Sequence, residues 1–532
     1  MKSNCQYISY GSTGFFSKIV ADYVAQAATI KPFFKHDSGI TGIRASVEAR
    51  KQFPTNRTLL AEVLRKQYDG LALSSSQQQN LDHLIQDNTF TVTTAHQPNI
   101  FTGPLYFIYK ILHTVKLAEE LKTAMPENNF VPVYYMGSED ADLDELGFIN
   151  LNGEKLVWNT KQTGAVGRMK VDKALIELME KINGQIAVQE NGKQLISLFR
   201  KCYSLNKTIQ QATLELVNEL FADFGVLVVI PDNSTLKKSF ETVVEKELTE
   251  QFSYSIVEQT AKELAKNYKV QASGRELNLF YLIDDKRERI EIQDSKFKIQ
   301  NLKLEFSKAE ILDELKNYPE RFSANVILRG VFQETILPNI AFIGGGGELA
   351  YWLELKNVFA AVNVPYPVLV LRNSFLLLHE KQLQQWKEMG FDVKDLFKEE
   401  RTLLNEFVKK HSNNKLHLNG ELQILEDFYM KVKSLTDSID VTLSQHVEAL
   451  QKRSFEKIQV LEKKILKAEK RKFSVQQQRI FKIKQQLFPD NSLQERTENV
   501  SMFYALYGKA FLQTIYKHSK GLEQQFGVIT VL

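Results

Sequence analysis

The sequence predicts an α/β protein with a parallel sheet at its core, two inserted subdomains and a long helical region near the C-terminal end. Three observations predict this fold class. Apolar segments with strand character recur along the chain, polar clusters follow them directly, and the stretch from about Leu422 to Pro489 is rich in Lys, Glu and Gln. Because parallel sheets bind ligands outside the carboxyl ends of their strands, these polar clusters are the candidate site.

Composition narrows the class of protein. The chain has 532 residues, of which 43% are hydrophobic and 25% charged, which is typical of a folded protein with two or three structural units. Its net charge of +4 is too small for a surface that binds nucleic acid throughout. Cys5 and Cys202 are too few for a disulfide framework or a thiolate zinc site, so we expect a reducing compartment and no zinc.

Neither a secretory signal nor a membrane span is predicted. The N-terminal segment MKSNCQYISY lacks a basic start followed by an apolar stretch. The apolar stretches from Val226 to Ile230 and from Val368 to Leu378 are short or interrupted by Arg372 and Asn373. We therefore expect a cytoplasmic protein with no membrane partner.

The first strand-helix-strand unit follows about ninety residues of helical character, in which the Ser/Gln-rich stretch from Ser74 to Gln79 is predicted to be a surface loop or turn. Phe90 to Ala95 is a strand candidate, and a Pro- and Gly-containing loop leads from it into a helix over Leu105 to about Lys122. Val131 to Met136 is the second strand. Two strands joined by a helix indicate a right-handed parallel unit.

Three further strand candidates complete the predicted sheet. Gly225 to Pro231 is followed by helix-capping residues at 232–234, Asn339 to Leu355 joins an apolar segment to four glycines and a helix, and Pro367 to Leu371 runs directly into Arg372. The gaps before the third and fourth strands are far longer than a crossover helix needs, so each is predicted to hold an inserted subdomain.

These boundaries and the change of composition predict the domain organisation. We divide the chain into residues 1–165 (first half of the core with N-terminal helices), 166–224 (first insertion), 225–250 (a core strand and helix), 251–325 (second insertion), 326–390 (second half of the core), 391–490 (helical coiled-coil region) and 491–532 (a segment packing back on the core).

The predicted helical region carries an apolar seam at spacings of three and four, which is typical of an antiparallel helical hairpin or a coiled coil. The seam consists of Val447, Leu450, Ile458, Leu461, Ile465, Ala468 and Val475. Lysines make the same stretch basic, and a nucleic-acid arm is one reading. A solvated helix face is favoured, because Glu456, Glu462 and Glu469 interleave with the lysines and no aromatic stacking platform accompanies them.

The segment that leaves the first strand contains candidate ligand-binding residues. His96 and Gln97 end the strand, and the turn at Thr102 and Gly103 opens a helix whose backbone N–H groups suit a phosphate or carboxylate. Lys110 lies one turn into that helix and could bind a phosphate. The alternative is that His96 and Gln97 only satisfy backbone groups at the strand end.

The second strand is followed by five acids within GSEDADLDE: Glu139, Asp140, Asp142, Asp144 and Glu145. Carboxylates at a strand end can hold Mg²⁺ or an ammonium group, or act as a base. They can also simply stabilise a helix N-terminus. We favour function for one or two of them and capping for the rest.

The fourth and fifth strands contribute the opposite side of the predicted crevice. The glycines from Gly344 to Gly347 precede Glu348 and match neither a P-loop nor a GxGxxG fingerprint, and a tight turn is the alternative to a ligand-binding loop. Tyr351 and Trp352 could stack on a base or belong to the core. Arg372 with Asn373 could reach the crevice, or Arg372 could pair with the acidic loop.

Taken together, these segments resemble the cysteine ligase family of bacillithiol biosynthesis along nearly the whole chain. The blocks that carry the resemblance are TGPLY (Thr102 to Tyr106), VPVYYM through SEDADLDE, SGRELNLFY (273–281), the long block from Pro319 to Phe359, LRNS (Leu371 to Ser374), and Tyr507, Gly508 and Phe511.

The resemblance implies a Rossmann-like core similar to class I aminoacyl-tRNA synthetases, two connecting insertions and a coiled coil that forms a homodimer. The family's reaction joins the carboxyl group of cysteine to the amine of glucosaminyl malate, and the likeness to synthetases implies ATP, with ADP as a related ligand and Mg²⁺ as a candidate ion. The family usually has Gly-Gln-Gln where this chain has Ala95-His96-Gln97, and a His where it has Ala141. The class I signatures His-x-Gly-His and Lys-Met-Ser-Lys-Ser are absent from the sequence, so ATP activation follows from the fold likeness alone.

The family blocks and the strand-end positions together predict roles for individual residues. Glu139, Asp140 and Asp142 are the catalytic candidates for binding or deprotonating the amine. The residues predicted to bind substrate or nucleotide are His96, Gln97, Thr102, Gly103, Tyr106, Lys110, Arg275, Asn278, Gly344, Gly345, Gly346, Glu348, Tyr351, Trp352, Arg372 and Asn373. Among them, Arg275 and Asn278 are predicted to close over the sugar acid from the second insertion.

Two other functions fit the sequence. One is a nucleotide-binding scaffold with a dimerising coiled coil and a degenerate core. The other is a nucleotidyltransferase that acts on a different small acid.

Overall fold

The computed structural model describes residues 1–271 and 274–531. Ser273, which begins the SGRELNLFY block, lies outside the described residues. The chain divides into two compact units, the first formed by Met1–Leu377 with Ser492–Leu532 and the second by Leu378–Asn491.

A five-stranded parallel sheet forms the centre of the first unit and confirms the predicted fold class. Its strands are β1 (Thr89–His96), β2 (Asn129–Met136), β3 (Leu227–Val229), β4 (Asn339–Gly344) and β5 (Val368–Leu371). Their order in the sheet is β5-β4-β1-β2-β3, and every neighbouring pair is parallel. The strands are almost wholly buried because both faces of the sheet are covered, and β1 includes four buried threonines among its apolar residues.

The strand order reverses between β1 and β4, and this reversal decides where a ligand can enter. The helix Tyr106–Ala124 returns from β1 to β2, whereas β4 pairs with the opposite edge of β1. The connections therefore leave in opposite directions and open a crevice at the carboxyl ends of β1 and β4, which is the topological switch point of such sheets.

The N-terminal segment pairs with the far end of the chain, which the sequence analysis did not predict. Strand Ser3–Ile8 runs antiparallel to Phe526–Val531, and Ser374–His379 completes this three-stranded sheet. Four helices follow: Lys18–Val24, Ile40–Lys51, Arg57–Gln67 and Ser75–His83. The prediction of a loop at Ser74 to Gln79 was wrong, because Ser74 and Gln77 form a capping box that starts the last of these helices.

The long segment between β2 and β3 is mainly helical. It contains the helix Leu143–Leu146, the hairpin Phe148–Leu151 with Glu154–Val157, and the helices Lys173–Ile186, Glu190–Cys202 and Ile209–Phe221.

The segment between β3 and β4 combines helices with two small antiparallel sheets. Its helices are Ser234–Lys238, Glu241–Glu250, Phe252–Leu264, Lys308–Asn317 and Val326–Ile336. One sheet contains Phe322–Ala324, Leu279–Ile283 and Lys286–Arg289, and the other contains Leu304–Phe306, Lys296–Ile299 and Glu291–Gln293. Helices Gly346–Trp352 and Lys356–Ala361 link β4 to β5.

The second unit is helical and contains the predicted helical hairpin. Its helices are Glu380–Glu388, Glu400–His411, Asn419–Asp437, Ser444–Lys470 and Ser474–Leu487. Tyr429 contacts Ser454 through their hydroxyl groups at 2.8 Å, and Lys433 pairs with Glu448, so the third and fourth of these helices are antiparallel. In the described part of the chain, no helix is long and apolar enough to cross a membrane.

The C-terminal segment belongs to the first unit. Helices Gln494–Thr497, Val500–Tyr507 and Lys509–His518 precede the final strand. The middle one contacts Glu190–Cys202 and the last contacts Tyr106–Ala124. Short 3₁₀ turns connect many elements, at Tyr10–Thr13, Lys31–Phe33, Ile100–Thr102, Val166–Arg168, Ala222–Phe224, Gln300–Leu302, Pro319–Arg321, Val393–Phe397, Val441–Leu443, Arg471–Phe473 and Pro489–Asn491.

Candidate functional site

His96 is the last residue of β1 and lies at the switch point. Its side chain is packed against the rings of Tyr106 and Phe107 and is only 9% exposed. Its Nε2 is buried with no hydrogen-bond partner among the residues that the structure describes. Burial holds the pKa of His96 well below its usual range, and nearby Lys110, Arg372 and Arg329 lower it further. A neutral imidazole with a vacant nitrogen beside three cations suits an anionic ligand.

Lys110 and Glu348 form an ion pair beside His96. The Lys110 Nζ lies 2.5 Å from Glu348 Oε2 and also donates to the Ala95 carbonyl at 2.7 Å. Glu348 accepts from the Gly345 N–H at 2.7 Å and so fixes the start of the helix that follows β4. Burial lowers the pKa of Lys110, although Glu348 opposes this shift. The first and fourth strands therefore contribute to one cluster.

Arg372 follows β5 and is held by hydrogen bonds from both of its terminal nitrogens. Its Nη2 donates to Glu495 at 2.7 Å, and its Nη1 donates to the Asn373 carbonyl and to Ser374 Oγ. Its guanidinium lies 5.0 Å from the centre of the Tyr106 ring. Burial raises the pKa of Tyr106 to about 12, so this phenol is neutral. The partner of Arg372 is thus Glu495 and not the acidic loop that the sequence offered as the alternative.

Asp140 is the acid of the loop after β2 that reaches the site. Gln97 donates its Nε2 to Asp140 Oδ2 at 3.1 Å, and Arg329 Nη1 lies 3.8 Å from the same oxygen. The side chain of Asp140 is 24% exposed, so the carboxylate remains open to a ligand.

The two other catalytic candidates have structural partners. Glu139 pairs with the buried ammonium of Lys237 and accepts from Ser323 Oγ at 3.1 Å. Asp142 is exposed and caps the helix Leu143–Leu146 by accepting from the Glu145 N–H. The cap formed by Asp142 matches the alternative role expected for some of these acids, whereas the pairing of Glu139 with Lys237 was not predicted.

Two arginines that the sequence analysis did not select also lie at the acidic loop. Arg329 lies in the helix Val326–Ile336, and despite burial the nearby Tyr351 and Asp140 raise the pKa of Arg329. Arg287 stacks on Phe280 with its guanidinium 3.9 Å from the ring centre.

The contacts of Arg287 leave part of its guanidinium available. Its Nε donates to Ser323 Oγ and its Nη2 to the Ala324 carbonyl. Burial lowers the pKa of Arg287, and Glu139 and Asp140 counter that effect.

A signal for Arg329 existed in the sequence, since it is a lone charge within the apolar run VILRGVF. No comparable signal marks Arg287, which lies in the charged hairpin KRER, or Lys237, which follows a helix cap. Their places depend on contacts between segments that are far apart in the chain.

Thr102 and Gly103 form the turn between β1 and the helix Tyr106–Ala124. Thr102 is buried, and its Oγ1 has no partner within the described residues. Gly103 has a φ of +62°, and a Cβ there would lie 2.7 Å from the Cβ of Asn99, so only glycine fits.

Among the glycines after β4, Gly345 lies nearest the charged cluster. A Cβ on Gly345 would be 3.3 Å from Glu348 Oε2 and 3.6 Å from Arg372 Nε. The carbonyl of Gly344 accepts from the Arg372 N–H at 2.8 Å, and Gly346 packs against Val20. This backbone therefore shapes the wall of the crevice beside Lys110.

Three predicted site residues use their side chains in the core or in other contacts, and a fourth lies on the surface. Trp352 is 1% exposed and stacks on Phe342, so it belongs to the core. Asn373 uses its side chain to bind the backbone of Lys520. Arg275 is exposed, and Asn278 is buried.

The environment of Asn278 explains its burial. Its side chain donates to Ser253 Oγ at 2.7 Å and accepts from Asn325 Nδ2 at 2.8 Å, and its backbone N–H donates to Glu247. The polar groups of Asn278 thus connect three parts of the segment between β3 and β4.

Within residues 1–271 and 274–531, no group of three or more His, Cys, Asp or Glu side chains could hold a metal ion. We assign no protein-built metal centre to these residues.

Comparison with known proteins covers the whole chain. The family description "Bacillithiol biosynthesis BshC, N-terminal Rossmann-like domain" matches residues 2–373, and "Bacillithiol biosynthesis BshC, C-terminal coiled-coil domain" matches residues 375–531. The resemblance inferred from separated sequence blocks and the predicted combination of a Rossmann-like core with a coiled coil are therefore confirmed.

Individual relatives match over nearly their full lengths, and each of three carries the name "Putative cysteine ligase BshC". The protein of Flavobacterium johnsoniae is 40% identical over 533 residues and covers 100% of both chains. That of Christiangramia forsetii is 38% identical and covers 100% of this chain and 99% of its own. That of Bacillus cytotoxicus is 25% identical and covers 94% and 96%.

Proposed function

The chain belongs to the BshC family of bacillithiol biosynthesis and is a ligase, and we propose that it joins the carboxyl group of L-cysteine to the amine of glucosaminyl malate. The observation that carries the site assignment is the vacant Nε2 of buried His96 beside Lys110, Arg372 and Arg329. We call these four residues the anion pocket. In this proposal the pocket receives the carboxylate of cysteine or its activated form.

The amine of the second substrate would meet Asp140. An ammonium group must lose a proton before it can attack a carboxyl carbon, and a positioned carboxylate can accept that proton. Asp140 is open to solvent and held by Gln97, whereas Glu139 is neutralised by Lys237. Asp140 is therefore our choice for the base among the three predicted carboxylates.

The malyl carboxylates would bind Arg287, with Arg329 shared between them and the anion pocket. Arginine presents paired N–H groups that match a carboxylate, and both side chains lie beside Asp140 and Glu139 at the end of β2. Arg287 takes the place that the sequence analysis gave to Arg275, because Arg275 is exposed. The sugar acid would then lie between the second insertion and the acidic loop.

Amide formation from a free carboxylate is unfavourable in water, so the reaction needs activation. The anion pocket also fits phosphate groups, and His96 and Lys110 would hold those of ATP, with Gly345 leaving room beside them because it has no side chain. Bound ATP would supply activation of the carboxyl group. The residues of this chain would orient the two substrates and move the proton from the amine to Asp140.

A homodimer through the helical hairpin of the second unit completes the proposal. The helix Asn419–Asp437 exposes Ile424, Phe428 and Leu435 at spacings of four and seven. Such a stripe is typical of a helix that packs against another helix.

The free cysteines Cys5 and Cys202 fit a reducing compartment, and we propose the cytoplasm.

The test is deletion of the gene in its host, with bacillithiol and glucosaminyl malate measured by mass spectrometry after thiol labelling. We expect bacillithiol to disappear and glucosaminyl malate to accumulate. Unchanged levels of both would reject the ligase function. A nucleotide-binding scaffold predicts instead that purified protein binds ADP without turnover, and a nucleotidyltransferase predicts pyrophosphate release without cysteine.

Complementation of the deletion strain then tests the anion pocket. His96→Gln keeps a side-chain N–H group at this position and should restore bacillithiol, whereas His96→Leu has a similar volume and no donor and should restore less than a tenth. Equal restoration by both variants would show that the vacant nitrogen of His96 contributes nothing to the reaction.

A further inference from the structure

The turn between β1 and its helix has an unusual backbone. Phe101, Thr102 and Gly103 have φ angles of +50°, +73° and +62°. Two of the three are not glycine, and left-handed conformations are unfavourable for bulky or β-branched side chains. Such a turn persists only where the surrounding structure holds it, so the contacts that hold it are informative.

Asn499 supplies those contacts from the segment that follows the second unit in the chain. Its side-chain Nδ2 donates to the carbonyls of Phe101 at 2.9 Å and Gly103 at 2.6 Å. Its Oδ1 accepts from the backbone N–H and the hydroxyl of Ser501. Asn499 is fully buried, so no water competes for these bonds.

The turn that Asn499 holds carries polar atoms that are ready for a ligand. Thr102 Oγ1 and Asn99 Oδ1 are both buried and have no partner in the described part of the chain. Folded proteins rarely leave such atoms unsatisfied, because each loses its hydration without gaining a hydrogen bond. Both atoms lie in the loop between His96 and the helix that carries Lys110.

We propose that Asn499 is a positioning residue for the ligase reaction: it holds the Phe101–Gly103 turn in its left-handed conformation and thereby presents the free oxygens of Thr102 and Asn99 to the bound substrate. The proposal rests on the proposed function. Asn499 does not touch the substrate and acts through the backbone of the turn.

The experiment compares Asn499→Asp with the matched variant Ser501→Ala in the full-length protein. The aspartate can still accept from Ser501 but cannot donate to the two carbonyls of the turn. Ser501→Ala removes the hydrogen bond that the Ser501 hydroxyl donates to Asn499 Oδ1. It leaves intact the two hydrogen bonds that Asn499 Nδ2 donates to the turn. Each variant is expressed in the deletion strain for bacillithiol measurement, and purified protein is titrated with L-cysteine and with glucosaminyl malate.

We expect Asn499→Asp to lower bacillithiol at least tenfold and to weaken binding of one of the two substrates at least tenfold, while Ser501→Ala stays within twofold of wild type in both measurements. Equal losses in the two variants, or a folded Asn499→Asp protein with wild-type output, would overturn the proposal. If Asn499→Asp does not fold, Asn499→Ser keeps one donor, and we expect an intermediate loss; wild-type output and binding would overturn the proposal. Failure of the wild-type gene to restore bacillithiol would instead reject the proposed function.

Discussion

The guanidinium of Arg372 and the carboxylate of Glu495 form a buried ion pair, with Nη2 and Oε1 2.7 Å apart. Arg372 directly follows β5, whereas Glu495 follows the second unit in the chain. The second oxygen of Glu495 accepts from the Phe375 N–H at 3.1 Å. Glu495 therefore fixes both the charge and the direction of Arg372, which contributes to the anion pocket.

Replacing Glu495 by Gln should destabilise the protein and weaken substrate binding. The glutamine amide has one accepting oxygen, so it cannot accept from both Arg372 and the Phe375 N–H. It also leaves the buried charge of Arg372 uncompensated, which costs about 3 kcal/mol. Urea unfolding measures the loss of stability, and titration with L-cysteine measures binding.

Glu334→Gln is the matched control for this prediction. Glu334 pairs with Arg50 at 2.7 Å, and both side chains are fully buried away from the carboxyl ends of the strands. We expect a similar loss of stability with unchanged affinity for cysteine. If both variants bind cysteine equally well, Arg372 has no part in the pocket.

Thr102→Val should raise stability and lower activity. Valine keeps the shape and branching of the side chain and removes a buried hydroxyl that has no partner among the described residues, which stabilises by about 1 kcal/mol. If the hydroxyl contacts substrate, bacillithiol in the complemented strain should fall at least fivefold. Thr55→Val is the control, because Thr55 Oγ1 is also buried and without a partner in the described structure but lies outside the site. A Thr102→Val protein with full output would assign the hydroxyl no function.

The sheet was predictable from the sequence because strands buried on both faces read as short apolar runs. The N-terminal strand Ser3–Ile8 was not, since its residues alternate between partly buried and exposed positions and its partner lies at the other end of the chain. The helix after Ser74 was missed because a Ser/Gln-rich stretch is polar, although its capping box was visible in the spacing of Ser74 and Gln77.

For the site, the sequence placed His96, Lys110, Glu348 and Arg372 on segments that follow the sheet strands, and in the structure these residues lie close together because the carboxyl ends of parallel strands meet at one edge. The sequence could not show which polar side-chain atoms already have hydrogen-bond or ion-pair partners within the protein. Asn373 hydrogen-bonds to the backbone of Lys520, and Arg372 pairs with Glu495. Each contact joins residues more than a hundred positions apart in the chain. Those pairings arise only when the chain has folded.

The acids after β2 should separate into different roles. Asp140→Asn should abolish bacillithiol production with stability unchanged within about 1 kcal/mol, because Asp140 is partly exposed. Asp142→Asn should retain activity, since asparagine also caps helices. Wild-type thiol output from the Asp140 variant would remove it from the mechanism.

The double variant Phe428→Glu and Leu435→Glu should convert the proposed dimer to a monomer of 61.2 kDa. Both side chains are more than half exposed on one stripe of the helix Asn419–Asp437, and burying their charges in a helix interface is strongly unfavourable. Light scattering during size-exclusion chromatography measures the mass. Gln423→Glu adds a charge to the same helix off the stripe and should leave the dimer intact. A wild-type protein that is already monomeric would contradict the interface.

Stability should decrease in acid because His113 is buried in its neutral form. Its Nδ1 accepts from the Asn373 N–H, its Nε2 lies 2.7 Å from the Gly521 carbonyl, and burial lowers the pKa of His113 to about 4. In the unfolded chain His113 takes up a proton near pH 6.5, whereas in the folded protein it stays neutral until the pH falls to about 4. The stability that the neutral His113 contributes is therefore complete above pH 6.5 and is lost as the pH falls towards 4. From pH 7.5 to 5.0 the loss is about 2 kcal/mol for this one group. His113→Gln cannot titrate, and urea unfolding should therefore show its stability deficit relative to wild type shrinking by about that amount at pH 5.0. A deficit that is the same at both pH values would mean that His113 is protonated in the folded protein or is not shielded from water.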